Sequence, residues 1–232
     1  MKDVLSLGKK VFLFFSLLFL SACVSTKFVP LPPKVVTGVY HPVKKGETLW
    51  RICKTYDVAL QEVAEINNIK DASQIEVSDK IFIPGATKVL RINVVKKETP
   101  GYDKSIVKQT GKYDWPVKGK IVSHFGIKDG RKYDGIDILV PLGTPVKAAD
   151  AGKVIFSNKL SGYGNLIIIQ HGDKYTTIYA HNQANLVDEG KWIERGSIIA
   201  EAGNSHDRSA SSTLHFQVRR NNKSRNPLFF LP

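Results

Sequence analysis

Cysteine is almost missing from this sequence, with Cys23 and Cys53 the only two among 232 residues. A scaffold stapled by several disulfides is therefore excluded, and so is a zinc site built from clustered cysteines. Acidic side chains are also scarce, 21 Asp and Glu against 34 Lys and Arg, leaving a formal charge of +13. That surplus asks for an anionic partner, but charge alone does not choose among nucleic acid, anionic lipid and an acidic wall polymer. Long apolar runs are lacking too. Residues 11–20 would rise only about 15 Å as a helix, half of the ~30 Å hydrocarbon core, so a polytopic membrane protein is excluded.

What that short run does instead follows from its flanks. Lys2, Lys9 and Lys10 precede it and Ser21, Ala22 and Cys23 follow, the layout of an export signal. Leu20-Ser21-Ala22-Cys23 resembles the bacterial lipobox. The resemblance implies cleavage after residue 22, lipidation of Cys23 and anchoring through acyl chains, each buried CH₂ contributing about 0.8 kcal/mol. Val24, rather than Asp, after the cysteine implies an outer-membrane lipoprotein facing the periplasm. The chain without residues 1–22 carries about +11. Outside the cytoplasm nucleic acid drops out as a partner, and envelope material takes its place.

Residues 23–39, with Pro30, Pro32 and Pro33, suit an extended polyproline-like stalk. Periodicity begins in residues 40–85. Leu49, Ile52, Cys53 and Tyr56 recur at helical spacing behind Thr48, a natural N-cap, and Leu60, Val63, Ala64 and Ile66 mark a second helix. Strand-like runs at 41–43 and 80–83 flank them, predicting an α+β unit in the order βααβ. Cys53 falls on the buried helix face, where it packs as a small apolar residue. Through Val43 to Trp50, Ile66-Asn67-Asn68 and Lys80 to Pro84 the segment resembles the LysM module. That resemblance implies binding of peptidoglycan glycan strands between two loops, Gly46, Glu47, Thr48 and Leu49 on one side and Asn68, Ile69, Ser73, Gln74 and Ile75 on the other. Gly46 lets the backbone approach a sugar, and the second loop offers amides and hydroxyls to N-acetyl and ring hydroxyl groups. Ala59 departs from the pattern by removing a helix cap, at a cost of about 1 kcal/mol.

Residues 86–113 hold seven Lys or Arg and two acids and suit a solvated basic linker, strand-like only at 89–95. Short β-runs broken by glycine then fill residues 114–232, predicting a mainly antiparallel β domain. In its last long run Leu214, Phe216 and Val218 alternate onto the core face, leaving Thr213, His215, Gln217 and Arg219 on the other. The domain resembles the LytM or lysostaphin-like zinc endopeptidases through Gly135-Ile136-Asp137-Ile138, Gly162-Tyr163-Gly164-Asn165, Tyr179-Ala180-His181 and Leu214-His215-Phe216.

Carried over position by position, that resemblance puts the three metal ligands at Tyr133, Asp137 and His215, and two further catalytic positions at His181 and Thr213. Two of the five are changed. A phenol with pKa near ~10 replaces a neutral imidazole, and Thr213 cannot exchange protons near neutrality. The zinc site is expected to be lost, leaving no cofactor and no catalysis. Lipobox, LysM, linker and ligand-poor LytM domain together resemble the NlpD-like lipoproteins. These are activators of N-acetylmuramoyl-L-alanine amidases in septal wall splitting, so the family implies that the vestigial cleft of Tyr133, Asp137, His181, Thr213, His215 and Gln217 receives a periplasmic amidase. Two other classes stay open, a zinc-dependent endopeptidase with a non-standard metal site and a purely structural wall-binding lipoprotein.

Overall fold

The computed structural model describes residues 35–94, 108–172, 174–203 and 211–232. The expected signal segment, the lipidation position Cys23, most of the stalk and the middle of the linker lie outside the described residues.

The N-terminal module takes the expected βααβ order. Thr48 is extended, and its hydroxyl accepts from Arg51 N at 3.3 Å, which starts helix α1 (Leu49–Tyr56). Asp57 ends the helix in the left-handed region at φ 53°. Leu49, Ile52 and Cys53 face inward, and burial pushes the Cys53 thiol up to about 12, so it stays protonated and packs as an apolar group. Helix α2 (Leu60–Ile66) begins at Ala59 with no side-chain cap. Strands β1 (Gly38–Pro42) and β2 (Lys80–Pro84) pair antiparallel. Asn67 then fastens α2 to β2, its Nδ2 donating to Phe82 O at 2.8 Å and its Oδ1 accepting from Phe82 N at 2.7 Å.

The C-terminal domain is built almost wholly from antiparallel strands. In chain order these are β3 (Lys120–Ser123), β4 (Gly126–Lys128), β5 (Arg131–Tyr133), β6 (Ile136–Pro141), β7 (Pro145–Lys147), β8 (Gly152–Leu160), β9 (Gly164–His171), β10 (Tyr175–Asn185), β11 (Trp192–Ile193), β12 (Ile198–Ala202), β13 (Ser211–Arg220) and β14 (Lys223–Arg225). The main sheet runs β11-β8-β9-β10-β13-β6-β3, with β12 joining β10 to β7 and β14 added to β13. Leu214, Phe216 and Val218 are fully buried, as their alternation requires, against Ile136, Ile138 and Tyr179. Each such side chain contributes roughly 1.5–3 kcal/mol on burial.

The linker ends are packed rather than solvated. No strand forms over 89–94; instead Ile92 is buried in the module core and Leu90 N donates to Tyr56 Oη at 2.8 Å. Among residues 108–113, Gln109 N donates to Phe229 O at 2.8 Å and Tyr113 is fully buried beside Phe230.

The two modules also touch each other. Glu65, at the end of α2, is 4% exposed and forms a two-pronged ion pair with Arg225 of β14, whose Nε donates to Oε2 at 2.8 Å. Asn226 Nδ2 donates to Glu65 O at 3.0 Å and to Asn68 Oδ1 at 3.2 Å. Gly126 lies so close to Ile66 that a Cβ there would sit 2.5 Å from Ile66 O.

Candidate functional site

Strand register assembles the cleft. Asp137 on β6 and His215 on β13 are direct antiparallel partners, so their side chains rise on the same face, and His215 Nδ1 meets Asp137 Oδ1 at 2.6 Å. His215 also pairs with Ala180 of β10. The next residue, His181, lies where the β10–β9 register shifts, at φ 62°, and its N donates to Tyr163 O at 2.9 Å. This bulge turns its ring to within 5.9 Å of the His215 ring, centroid to centroid, in an edge-to-face arrangement. The Tyr163 ring lies 6.1 Å from that of His215, centroid to centroid.

Electrostatics follow from these neighbours. Burial alone would raise the Asp137 carboxyl, but hydrogen bonds from His215 and Ser123 hold it below the ordinary carboxylate range. Burial, then the adjacent His215, pulls the His181 imidazole below its usual value. Gln217 Nε2 lies 2.8 Å from His215 Nε2, so with Nδ1–H given to Asp137 the far nitrogen carries the lone pair that accepts from Gln217.

Gln217 lies on the cleft face, yet it is only 1% exposed and its Oε1 has no hydrogen-bond partner. Gly135 packs over it so tightly that a Cβ there would sit 2.8 Å from Gln217 Cγ. Alternation therefore gives the correct face but not an accessible side chain, and Gln217 supports His215 from within. Thr213, opposite Leu139, continues the cleft face along β13. Tyr133, at the end of β5, instead lines a cavity of about 420 Å³ between the two modules, with Ser123, His124, Asn68 and Phe82.

A zinc ion does not fit this set. Asp137 and His215 supply two donors beside each other, and position 133 offers a phenol. Among the described residues no three His, Cys, Asp or Glu side chains are grouped closely enough to hold a metal.

The glycan-binding candidates separate in the structure. Glu47 is turned inward with its side chain 3% exposed, accepting from Lys44 N at 2.8 Å and pairing with His41 Nε2 at 2.9 Å. Leu49 is fully buried and the Thr48 hydroxyl caps α1. In this loop, then, Glu47 and Leu49 are corrected from sugar contacts to residues that hold the loop in shape. On the second loop Asn68 Oδ1 is engaged by Asn226, while Ser73 donates to Asp71 Oδ1 through both its N and Oγ. Ile69 and Ile75 pack against the module core, and Gln74 ends a 3-10 turn exposed to solvent. The Gly46 side borders a groove shared with residues 91–94, and Asn68 borders the cavity between modules.

Residues 41–84 match the LysM domain model and residues 131–227 match the model of peptidase family M23. The lipoprotein YgeR of Escherichia coli (strain K12) is 38% identical over 209 residues, 84% of this chain and 82% of that protein. The chain belongs to this family of lipoproteins that join a LysM domain to an M23 domain. A second relative, the murein hydrolase activator NlpD of Escherichia coli (strain K12), is 43% identical over 119 residues, 51% of this chain and 31% of NlpD, so the match spans about a third of that longer protein. Among solved structures, a zinc-containing peptidase from Vibrio cholerae superposes with TM-score 0.46 at 32% identity, over 52% of this chain and 41% of that one.

Within this LysM–M23 lipoprotein, sequence reasoning missed the Glu65–Arg225 pair and the wall that Arg91 and Asn93 supply to the Gly46 loop. Neither had a periodic or motif signal, because each depends on segments far apart in the chain meeting.

Proposed function

We propose that this chain is a non-catalytic, lipid-anchored activator of N-acetylmuramoyl-L-alanine amidases, holding peptidoglycan through its LysM module and receiving the amidase on the cleft face of its M23 domain. The observation that carries this reading is the cleft itself. Asp137 and His215 sit together on it, while the positions that the resemblance gives to a third ligand and a proton carrier hold Tyr133, which lines the cavity between the modules, and Thr213. The 43% identity to NlpD over 119 residues supports the same reading. A partly polar face of this kind suits a helix or loop of a partner. Activation requires that the face bind the open form of the amidase more tightly than the closed form, whatever the absolute affinity. Cys23 supplies the anchor, in the outer membrane and facing the periplasm.

The test is dye release from labelled sacculi by this protein alone, by an amidase alone and by both together. Release only above the amidase's own rate in the mixture is expected, and release by this protein alone would overturn the reading. Thr213→Trp, on the cleft face and off the core, should abolish stimulation with the melting temperature unchanged. Gln217→Lys is unsuited to this purpose, since it would bury a charge.

A further inference from the structure

The positive charge noted in the sequence has no role in a neutral-sugar groove or in the cleft, and the structure gives part of it a place. A groove of about 590 Å³ runs between the loop at 44–47 and the linker residues 91–94, lined by Lys44, Lys45, Glu47, Arg91, Asn93 and Val94. Its linker wall is held from beneath. Ile92 is buried in the module core, Leu90 N donates to Tyr56 Oη at 2.8 Å, and Tyr56 Oη lies 3.0 Å from His41 Nδ1. His41 in turn holds Glu47, the one acid in the lining, whose side chain is 3% exposed. The charges left facing the groove are those of Lys44, Lys45 and Arg91, all exposed. Gly46, at φ 84°, brings the loop close to the linker, since an added Cβ would sit 3.1 Å from a Val94 methyl.

We propose that this groove binds the carboxylates of peptidoglycan strands from which the stem peptides have been removed. In an intact strand the lactyl carboxyl of N-acetylmuramic acid is tied up as an amide to L-alanine. An N-acetylmuramoyl-L-alanine amidase adds water across that bond, releasing the peptide amine and leaving a carboxylate on the sugar. The inference rests on the activator reading, because it makes the module prefer the product of the activated reaction. Lys and Arg form charge-assisted hydrogen bonds with such carboxylates, and the Asn93 amide matches an N-acetyl group. Half of the groove lies beyond the LysM match at 41–84, so it belongs to this chain's linker as much as to the module. Binding there keeps the activator on wall that has already been opened.

Full-length protein freed of its signal and anchor would be titrated with fluorescent peptide-free glycan strands, with the same strands after carbodiimide coupling to ethanolamine, with chitin oligomers and with phosphatidylglycerol vesicles. Charged strands should bind roughly tenfold more tightly than neutralised ones at physiological salt, and the gap should close as salt screens the contact. Lys44→Gln with Lys45→Gln and Arg91→Gln should bring charged strands down to the neutralised level while chitin binding and melting temperature hold. Equal binding of charged and neutralised strands overturns the proposal. So does a triple variant that loses only vesicle binding, which would assign the groove to a membrane surface. Amidase stimulation, measured separately on soluble substrate, tests the activator reading alone. A wild-type chain that prefers charged strands without stimulating keeps the groove and sinks that reading.

Discussion

His215 is held at both ring nitrogens, by Asp137 at Nδ1 and by Gln217 at Nε2, which fixes the ring with its Nδ1 aimed at Asp137. Restoring the missing donors with Tyr133→His and Thr213→His should let a metal compete for Asp137 and His215, so the double variant should retain zinc through dialysis where the wild type does not. Adding Gln217→Leu removes the support behind His215 and should lower that affinity by roughly 10- to 100-fold, read by competition with a chelator. A second prediction concerns His171, which burial holds below its ordinary value of 6.5 although Ala151 O accepts its Nδ1–H at 2.7 Å. The unfolded chain takes up that proton near 6.5 and the folded chain only at lower pH. Stability is therefore fully present above about 6.5 and is lost as pH falls through the window beneath it. Urea midpoints at about pH 7 and about pH 5 should show the loss, and His171→Gln, less stable at neutrality, should lose less on acidification. Motif positions alone marked Asp137, His181 and His215, which the structure brings together. The burial of Gln217 and the inward turn of Glu47 were not, since alternation assigns a face and says nothing of what covers it.

The same boundary holds for the elements. Helices α1 and α2 and the longer strands follow from apolar spacing, because each buries a face that the spacing marks. The hairpin of β4 and β5 escaped: its strands are short and polar, and its one local cue is Asp129-Gly130, both at positive φ (51° and 70°), the geometry of a tight hairpin turn. That hairpin matters because it carries Tyr133. The loop joining it to β6 is equally constrained. A Cβ at Gly135 would lie 2.4 Å from Phe216 O, a backbone atom that cannot step aside without disturbing β13. Gly135→Ala should therefore cost about 1–3 kcal/mol, read as a lower urea midpoint, and should weaken any partner contact made through His215. An unchanged midpoint would mean that the β13 backbone yields more readily than its pairing with β6 and β10 implies.

At the scale of the molecule, the modules that sequence reads as separate beads share a buried joint. Glu65 and Arg225 lie 160 positions apart and neither belongs to a motif, so no local pattern could announce their pairing. The LysM module is small, and domains of that size bury too little surface to be robust alone. Docking on the C-terminal domain therefore stabilises it. Glu65→Ala leaves Arg225 and the carbonyl-bound Asn226 facing an emptied joint, and breaking one side of a largely buried pair costs roughly 3 kcal/mol. Calorimetry should show the module melting together with the C-terminal domain in the wild type and ahead of it in the variant. A general loss of packing would produce the same early melting, so the pair needs its own control. Replacing both partners with apolar groups of similar length, Glu65→Met with Arg225→Met, removes the unpaired charge while keeping volume, and should recover most of the lost coupling. If instead Glu65→Ala leaves the module melting where it did, the joint adds nothing to stability, and the LysM module stands on its own core of Leu49, Ile52, Val63 and Ile83.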